Sequence, residues 1–256
     1  MINFNEYLDQ IFSEFIKPEY NVLMTKAKDQ FVDFAGSFDE DNLDIEMKWS
    51  QFRDWFLFSY LDRLNYVNGV MPNVAVNPLK NEVSSSDTLR NDGFKDLSPF
   101  QILFSEQFQA QLNIPKDIMD AILGSHTSVF QHLKSYKDQI KVRDLITRIK
   151  HYVFDEDVQL ILERKDYIQT RIFKFENKYY FGGSFVLHPP MARKFIDSKI
   201  KLLKKEKDKA KKAEFQSKFL ESVFKMYYRA LRFRQVEIQK IYSDQPLFER
   251  KTQVSL

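Results

Sequence analysis

The feature that most limits how this chain can fold is a change in its hydrophobic period at Ser128. Before that residue, apolar side chains recur every three or four positions, as in amphipathic helices. From Ser128 to Leu187, apolar and polar residues alternate in five short runs, which is typical of strands. The helical period returns after Pro190. We therefore predict an α+β fold with N-terminal helices, a central small antiparallel β-sheet or barrel, and a long basic C-terminal helix.

Proline, glycine and charged residues set the expected limits of the N-terminal helices. The periodic pattern predicts a helix over residues 3–17, which Pro18 separates from a second helix that ends at Gly36. Residues 37–46 form an acidic connector. A third helix, over residues 47–64, is rich in Trp and Phe and should therefore lie in the core.

Composition divides the chain into four regions. The stretch at 65–97 is rich in Asn, Ser, Pro and Gly, which indicates a long loop. Two helices, over residues 99–112 and 115–123, follow it. The C-terminal segment contains few apolar residues around its lysines, so most of it should face water, whether it forms one helix or two. The regions are 1–64, helical; 65–97, a long loop; 98–190, two helices and a β-rich module; and 191–256, basic and helical.

Within the β-rich module, a turn and two glycines stand out. The tripeptide at 176–178 predicts a hairpin turn between strands at 167–175 and 178–187. Gly182 and Gly183 lie inside the second of these strands and lack the spacing of a phosphate-binding loop. They indicate a bulge or a close approach of two backbones.

The net charge of +3 hides a strong charge polarity. Residues 1–60 contain 12 Asp and Glu against 5 Lys and Arg, a net charge of −7. Residues 191–240 contain 16 Lys and Arg against 6 Asp and Glu, a net charge of +10. These two parts can attract each other, or the basic part can bind an external polyanion.

The basic C-terminal segment carries the clearest functional signal. Lysines and arginines contact nucleic-acid phosphates, and the interleaved Tyr227, Tyr228 and Phe233 could stack on bases. Three carboxylates between residues 206 and 214 interrupt the run, and this pattern favours a solvated helix or an arm between subunits over nucleic-acid binding. The nucleic-acid-binding candidates are Lys199, Lys201, Lys204, Lys205, Lys207, Lys209, Lys211, Lys212, Arg229, Arg232 and Arg234.

A second candidate site consists of charged residues in apolar surroundings. Such residues often form structural ion pairs. The alternative is a ligand site where the aromatic helix meets the sheet. The ligand-site candidates are Arg53, Asp54, Asp166 and Arg171.

Recognisable catalytic and metal-binding motifs are missing from the sequence. The chain contains no Cys, which excludes disulfides, thiolate metal sites and Cys nucleophiles. The histidines lack metal-ligand spacing, and we interpret them as surface or hairpin residues. The acidic clusters at 39–46 and 155–157 do not match a calcium loop and are interpreted as solvated loops. We expect no cofactor and no metal. The four histidines are His126, His132, His151 and His188.

Short motifs in the central part of the chain occur in a recognisable order. They are W-F-L-F-S-Y at 55–60, D-L-I-T at 144–147, Lys165-Asp166 with Arg171, and Y-F-G-G at 180–183. In this order they resemble uncharacterised bacterial proteins often described as SEC-C-motif-containing. The resemblance covers roughly residues 49–190 and implies an aromatic helix followed by a compact β-rich module. It implies no activity, and the zinc motif of that family is missing because the chain has no Cys.

These observations favour a non-enzymatic binding or regulatory protein that acts through protein–protein contacts, with a protein partner or by self-association as a homodimer. One alternative is a nucleic-acid-binding protein that uses the basic C-terminal segment. Another is an enzyme with an unrecognised site where helix and sheet meet. No stretch approaches the ~20 apolar residues of a membrane span, and no signal peptide is visible. We therefore expect a cytoplasmic protein.

Overall fold

Helices and strands occupy separate stretches of the chain, as the hydrophobic period predicts. The computed structural model describes residues 2–36, 45–58, 102–103, 105–154 and 162–244. Within these ranges, eight α-helices and a six-stranded sheet confirm the α+β class. The predicted loop at 65–97 and the acidic turn at 155–157 lie outside the described residues, as does most of the acidic connector at 37–46.

The boundaries of most elements lie close to the predicted ones. The helices are α1 (Phe4–Phe15), α2 (Asn21–Ala35), α3 (Ile45–Phe58), α4 (Glu106–Gln111), α5 (Lys116–Leu123), α6 (Arg193–Lys205), α7 (Lys209–Arg232) and α8 (Ile238–Ile241). The strands are β1 (His126–Ser135), β2 (Ile140–Asp144), β3 (Lys150–Val153), β4 (Tyr167–Phe175), β5 (Lys178–Phe181) and β6 (Val186–His188). The helix predicted over 99–112 is interrupted at Ser105, because the Ser105 hydroxyl accepts the Phe108 N–H and begins α4 there.

The chain forms two compact units, and each is built from two separate stretches of sequence. The first unit contains Met1–His126 and Arg171–Phe185. The second unit contains Thr127–Thr170 and Val186–Leu256. Strand β4 therefore begins in the second unit and ends in the first.

The core of the first unit is made mainly of aromatic rings. Helix α3 packs against α1 and α2, and all eight of its residues from Gln51 to Phe58 are buried, as its composition predicts. Phe56 contacts the ring edges of Phe12 and Phe15 at centroid distances of 5.8 and 5.3 Å. Such edge-to-face pairs stabilise a core beyond the area they bury.

The β4–β5 hairpin of the first unit confirms the predicted turn and corrects the predicted strand after it. Glu176 and Asn177 have φ of 45° and 62°, as a two-residue hairpin turn requires. The run at 178–187 is not one strand, because β5 ends at Phe181 and β6 begins at Val186. The reason is a close approach at Gly183, where a Cβ atom would lie 2.3 Å from Asn5 Oδ1.

Strands β1, β2 and β3 form an antiparallel meander in the second unit. The ladder places Phe130 opposite Asp144 and Ile140 opposite Val153. An irregularity between His132 and Lys134 interrupts the register of β1. Strand β4 pairs with β6, also antiparallel. The apolar core of this unit joins the sheet to the C-terminal helices through Val129, Ile146, Tyr167, Ala192, Ile196, Ile200, Leu203, Phe219, Val223, Met226, Ile241 and Tyr242.

The basic C-terminal segment forms three helices, α6, α7 and α8, and the long one is the 24-residue α7. Glu206 and Asp208 have extended backbones, with ψ of 122° and 120°, so the helix stops between α6 and α7. The Asp208 carboxylate then accepts the N–H groups of Ala210 and Lys211, which caps the first turn of α7. Of the two arrangements left open by the sequence, the interrupted one is therefore found.

Candidate functional site

Helices α6 and α7 pack together as a hairpin, and basic side chains surround the turn that joins them. We call these residues the hairpin lysines. Five of them are exposed to solvent, and Lys204 and Lys212 are half-buried. The hairpin lysines are Lys201, Lys204, Lys205, Lys207, Lys209, Lys211 and Lys212.

The carboxylates in this stretch are engaged elsewhere. Asp208 caps α7, and Glu206 Oε1 accepts the Asp208 N–H at 3.0 Å. Glu214 forms an ion pair with Lys218 at 2.6 Å. Among the described residues, no carboxylate lies within ion-pair distance of a hairpin lysine. The acidic residues that interrupt the basic sequence therefore do not neutralise it by direct pairing.

Lys204 joins the helical hairpin to the turn between β2 and β3. Its ammonium group donates to the Leu145 carbonyl at 2.7 Å. Partial burial lowers the pKa of Lys204, and the nearby charges of Arg148 and Lys212 lower it further. Arg148 is exposed, with φ of 68°, and it extends the basic surface beyond the residues predicted from sequence. The turn that carries it, residues 145–149, is mostly apolar in sequence, so composition does not single out Arg148 as a binding residue.

The arginines at the other end of α7 form a separate basic group. Arg229, Arg232 and Arg234 are exposed. Because 18 residues separate Lys211 from Arg229, the rise of an α-helix puts them about 27 Å apart along its axis. The predicted nucleic-acid-binding residues therefore do not form one patch.

Two tyrosines and one lysine predicted to bind nucleic acid are not available for it. Tyr227 and Tyr228 are 9% and 2% exposed, so neither ring can stack on a base. Their positions on α7 coincide with its core-facing side, which the interleaving with arginines hides in the sequence. Lys199 is occupied by an ion pair with Asp244, at 2.5 Å.

Arg53 and Asp54 form the buried ion pair that their apolar surroundings predict. Arg53 Nε donates to Asp54 Oδ1 at 2.9 Å, and both residues are buried. The same guanidinium donates to Asp9 Oδ1 at 2.6 Å and to Asn5 Oδ1 at 2.9 Å. The Arg53 side chain therefore links α3 to α1. The sequence did not identify Asn5 and Asp9 as its partners because they lie more than forty positions away.

The other two ligand-site candidates belong to different units. Arg171 lies in the first unit, where its guanidinium lies 3.6 Å from the centre of the Phe58 ring and donates to Ser125. Asp166 lies in the second unit, where it accepts from Arg193 at 3.1 Å and from the Glu163 N–H at 2.8 Å. Each therefore has a structural partner of its own, and the four candidates do not form one cluster within a unit.

Three histidines contradict the interpretation as surface or hairpin residues. His132, His151 and His188 are 4%, 5% and 1% exposed, whereas His126 is exposed. They occupy inward-facing positions of β1, β3 and β6. Among the described residues, no three His, Cys, Asp or Glu side chains are grouped closely enough to hold a metal ion.

Large apolar side chains are exposed in both units. Ile16 and Val22 belong to the first unit, and the others belong to the second. No observation on the described residues identifies a protein partner, so protein–protein binding and homodimer formation stay predictions. The exposed residues of the second unit are Tyr136, Ile149, Tyr152, Leu187, Met191 and Leu202. No helix in the described ranges is both long enough and apolar enough to cross a bilayer.

Comparison with protein families gives one match. The model of DUF7986, a family of unknown function, matches residues 93–238, which is more than half of the 256 residues. The chain belongs to the DUF7986 family. Comparison with curated proteins and with solved structures found no match. The resemblance to SEC-C-motif-containing proteins stays a prediction.

The DUF7986 match includes the meander, the hairpin lysines and the arginines of α7. Arg53 and Asp54 precede the matched region, so the buried ion pair lies outside the part of the chain that defines the family. Of the two candidate sites, the basic one is therefore the one contained within the DUF7986 region.

Proposed function

We propose that this protein binds nucleic acid through the hairpin lysines. The observation that supports this function is the set of exposed lysines around one turn, beside carboxylates that cap a helix or pair with other residues. Lysines without carboxylate partners are the groups that contact phosphates and release counterions when a polyanion binds.

The position of three of these lysines adds physical support. Lys209, Lys211 and Lys212 lie in the first turn of α7, where the helix dipole disfavours positive charge. They therefore cost the isolated protein stability, and a phosphate bound at the same place would be favoured both by the ammonium groups and by the helix terminus. Lys204 and Arg148 extend the basic surface to the β2–β3 turn.

Titration of labelled oligonucleotides by fluorescence anisotropy, at about 50 and 200 mM salt, tests the proposal. We expect binding that weakens steeply with salt. The triple substitution Lys205→Glu, Lys207→Glu and Lys211→Glu should reduce the affinity at the lower salt by at least roughly tenfold, because each change replaces an attraction to phosphate with a repulsion. Lys204 is left intact because its bond to Leu145 anchors α6.

A matched control keeps the same change in net charge. Lys26, Lys116 and Lys174 are exposed lysines of the first unit, and their replacement by Glu should affect binding much less. Equal losses in the two triple variants would show only a dependence on total charge and would contradict the hairpin as the site. Absence of binding at the lower salt would exclude the proposed function.

A further inference from the structure

A second basic surface lies on the outer face of the β1–β2–β3 meander. Along these strands the inward positions are buried, as at Ile140, Val142 and Val153, and the intervening side chains point to solvent. We call the outward-pointing residues the sheet face. It consists of Lys134, Tyr136, Lys141, Arg143, Lys150 and Tyr152.

Each cation of the sheet face lies opposite another cation on the neighbouring strand. Lys134 lies directly opposite Lys141, and Arg143 lies directly opposite Lys150. Like charges in directly opposite positions destabilise a sheet. Among the described residues, none of the four has a carboxylate within ion-pair distance. A chain of phosphates across these strands would relieve both repulsive pairs at once.

Two exposed aromatic rings accompany these cations. Tyr136 and Tyr152 are 36% and 43% exposed, and their ring centroids lie 6.1 Å apart. The ammonium group of Lys134 lies 4.9 Å from the centre of the Tyr136 ring, and that of Lys141 lies 4.9 Å from the centre of the Tyr152 ring. Exposed rings beside cations are the combination that binds single strands, since bases stack on the rings and phosphates contact the charges.

We propose that the sheet face binds single-stranded nucleic acid, with bases stacked on Tyr136 and Tyr152 and phosphates held by the four cations. This inference rests on the proposed function and specifies its ligand. A duplex offers its phosphates to the cations but keeps its bases stacked on one another, so the two rings would gain nothing from it. An acidic protein would satisfy the charges but needs no pair of stacking rings.

The sheet face and the hairpin lysines adjoin at the β2–β3 turn. Lys150 begins β3 directly after this turn, and Arg148 lies within it. Lys204 reaches the Leu145 carbonyl in the same turn. A strand that leaves the sheet face at Lys150 would pass Arg148, whose charge acts on Lys204 of the hairpin.

Probes that share their phosphates but differ in their bases test the inference. We would measure anisotropy with an oligothymidylate of about 15 nucleotides, an abasic strand of equal length, and a duplex. The intact protein should bind the thymidylate about 100-fold more tightly than the abasic strand, because two bases stack and each contributes about tenfold. Replacing Tyr136 and Tyr152 by Leu should remove that difference, at about tenfold per ring, and leave the affinity for the abasic strand unchanged. Tyr179→Leu, at a half-buried tyrosine of the first unit, is the control.

Charge reversal within the repulsive pairs separates binding from folding. Lys134→Glu with Lys150→Glu turns both like-charge pairs into opposite-charge pairs, so the midpoint of thermal unfolding should stay the same or rise. The affinity for the thymidylate should nevertheless fall by about tenfold or more. The control with the same change in net charge is Lys26→Glu with Lys174→Glu, in the first unit.

The outcomes distinguish this inference from the proposed function. Equal affinity for the thymidylate and the abasic strand, tighter binding of the duplex, or no effect of the tyrosine substitutions would overturn the sheet face as a single-strand site. Salt-sensitive binding that depends on the hairpin lysines would still support the proposed function in those cases. If none of the probes binds at the lower salt, both proposals fall.

Discussion

Gly183 is a position where the first unit leaves no room for a side chain. A Cβ atom there would lie 2.3 Å from Asn5 Oδ1, and that same oxygen accepts a hydrogen bond from Arg53. Because Arg53 is buried, its guanidinium depends on such acceptors to offset the loss of water. The absence of a side chain at Gly183 therefore leaves room for Asn5 in the hydrogen-bond network that joins α1 to α3.

We predict that Gly183→Ala lowers the free energy of unfolding by about 1–3 kcal/mol, because it displaces Asn5 from a buried donor. Urea unfolding monitored by circular dichroism measures this change. In the Asn5→Ala background, the same glycine substitution should cost much less, since the clashing amide is gone. Ser184→Ala serves as the neighbouring control, and a loss of equal size there would contradict the explanation.

At the residue scale, the sequence predicts ion pairs between adjacent residues better than it predicts which side chains are buried. Arg53 and Asp54 are neighbours in an apolar helix, so their ion pair could be inferred from position alone. The burial of His132 and His188 could not, because a polar residue at an inward strand position looks the same in sequence as an exposed one. Burial there is decided by partners that are distant in the chain, such as Tyr242 for His188.

At the scale of elements, the interruption between α6 and α7 decides where the lysines lie. Asp208 caps α7 with hydrogen bonds of 2.8 and 3.0 Å to the N–H groups of Ala210 and Lys211. An uninterrupted helix would spread the same lysines along one rod, whereas the turn gathers them at one end of a hairpin. The basic surface therefore depends on the Asp208 cap, which starts α7 after the turn.

We predict that Lys211→Glu raises the free energy of unfolding by about 0.5–1 kcal/mol while weakening nucleic-acid binding. Glu three residues after an N-terminal cap can return a hydrogen bond to the cap, and negative charge suits the start of a helix. Asp208→Ala should instead lower the free energy of unfolding by roughly 0.5–2 kcal/mol. Thermal unfolding and anisotropy measured on the same samples check both effects. A loss of stability in the Lys211 variant would contradict the account of the helix terminus.

Element types follow from local periodicity, and the exceptions follow from tertiary contacts. Alternation locates β1 to β4 to within two residues at each end, and in β2 and β3 buried side chains alternate with half-buried or exposed ones. Alternation also continues through Gly182 and Gly183, so it conceals the end of β5. The sheet face was missed for a related reason, since its four cations lie on three separate strands and meet only through strand pairing.

At the scale of the whole molecule, one buried histidine links stability to pH. His188 is 1% exposed, and Tyr242 is its hydrogen-bonding partner at 3.0 Å. Burial lowers the pKa of His188 from 6.5 to about 3. Between these values the unfolded chain binds a proton that the folded chain does not bind. The His188 contribution to stability is therefore fully present above pH 6.5 and is lost as the pH falls towards 3.

We predict that the free energy of unfolding falls by up to about 1.4 kcal/mol per pH unit below pH 6 through this group alone. His188→Asn keeps a polar group near Tyr242 but cannot titrate, so its stability should depend less on pH between about 6 and 4. Urea unfolding at a series of pH values measures the difference. His126→Asn, at an exposed histidine, should retain the pH dependence of the original protein. If the free energy of unfolding changed with pH in the same way in the unmodified protein and in the His188 variant, the prediction would be contradicted.

The division of each compact unit into two stretches also governs how the chain is made. The first unit cannot be completed until Phe185 has left the ribosome, although most of its residues precede Thr127. At about 5–20 residues per second, the first helix waits roughly 10–30 s for the hairpin on which Phe4 stacks. During that interval the Phe-rich faces of the N-terminal helices lack their final partners, and they are the surfaces that a chaperone at the exit tunnel would meet first.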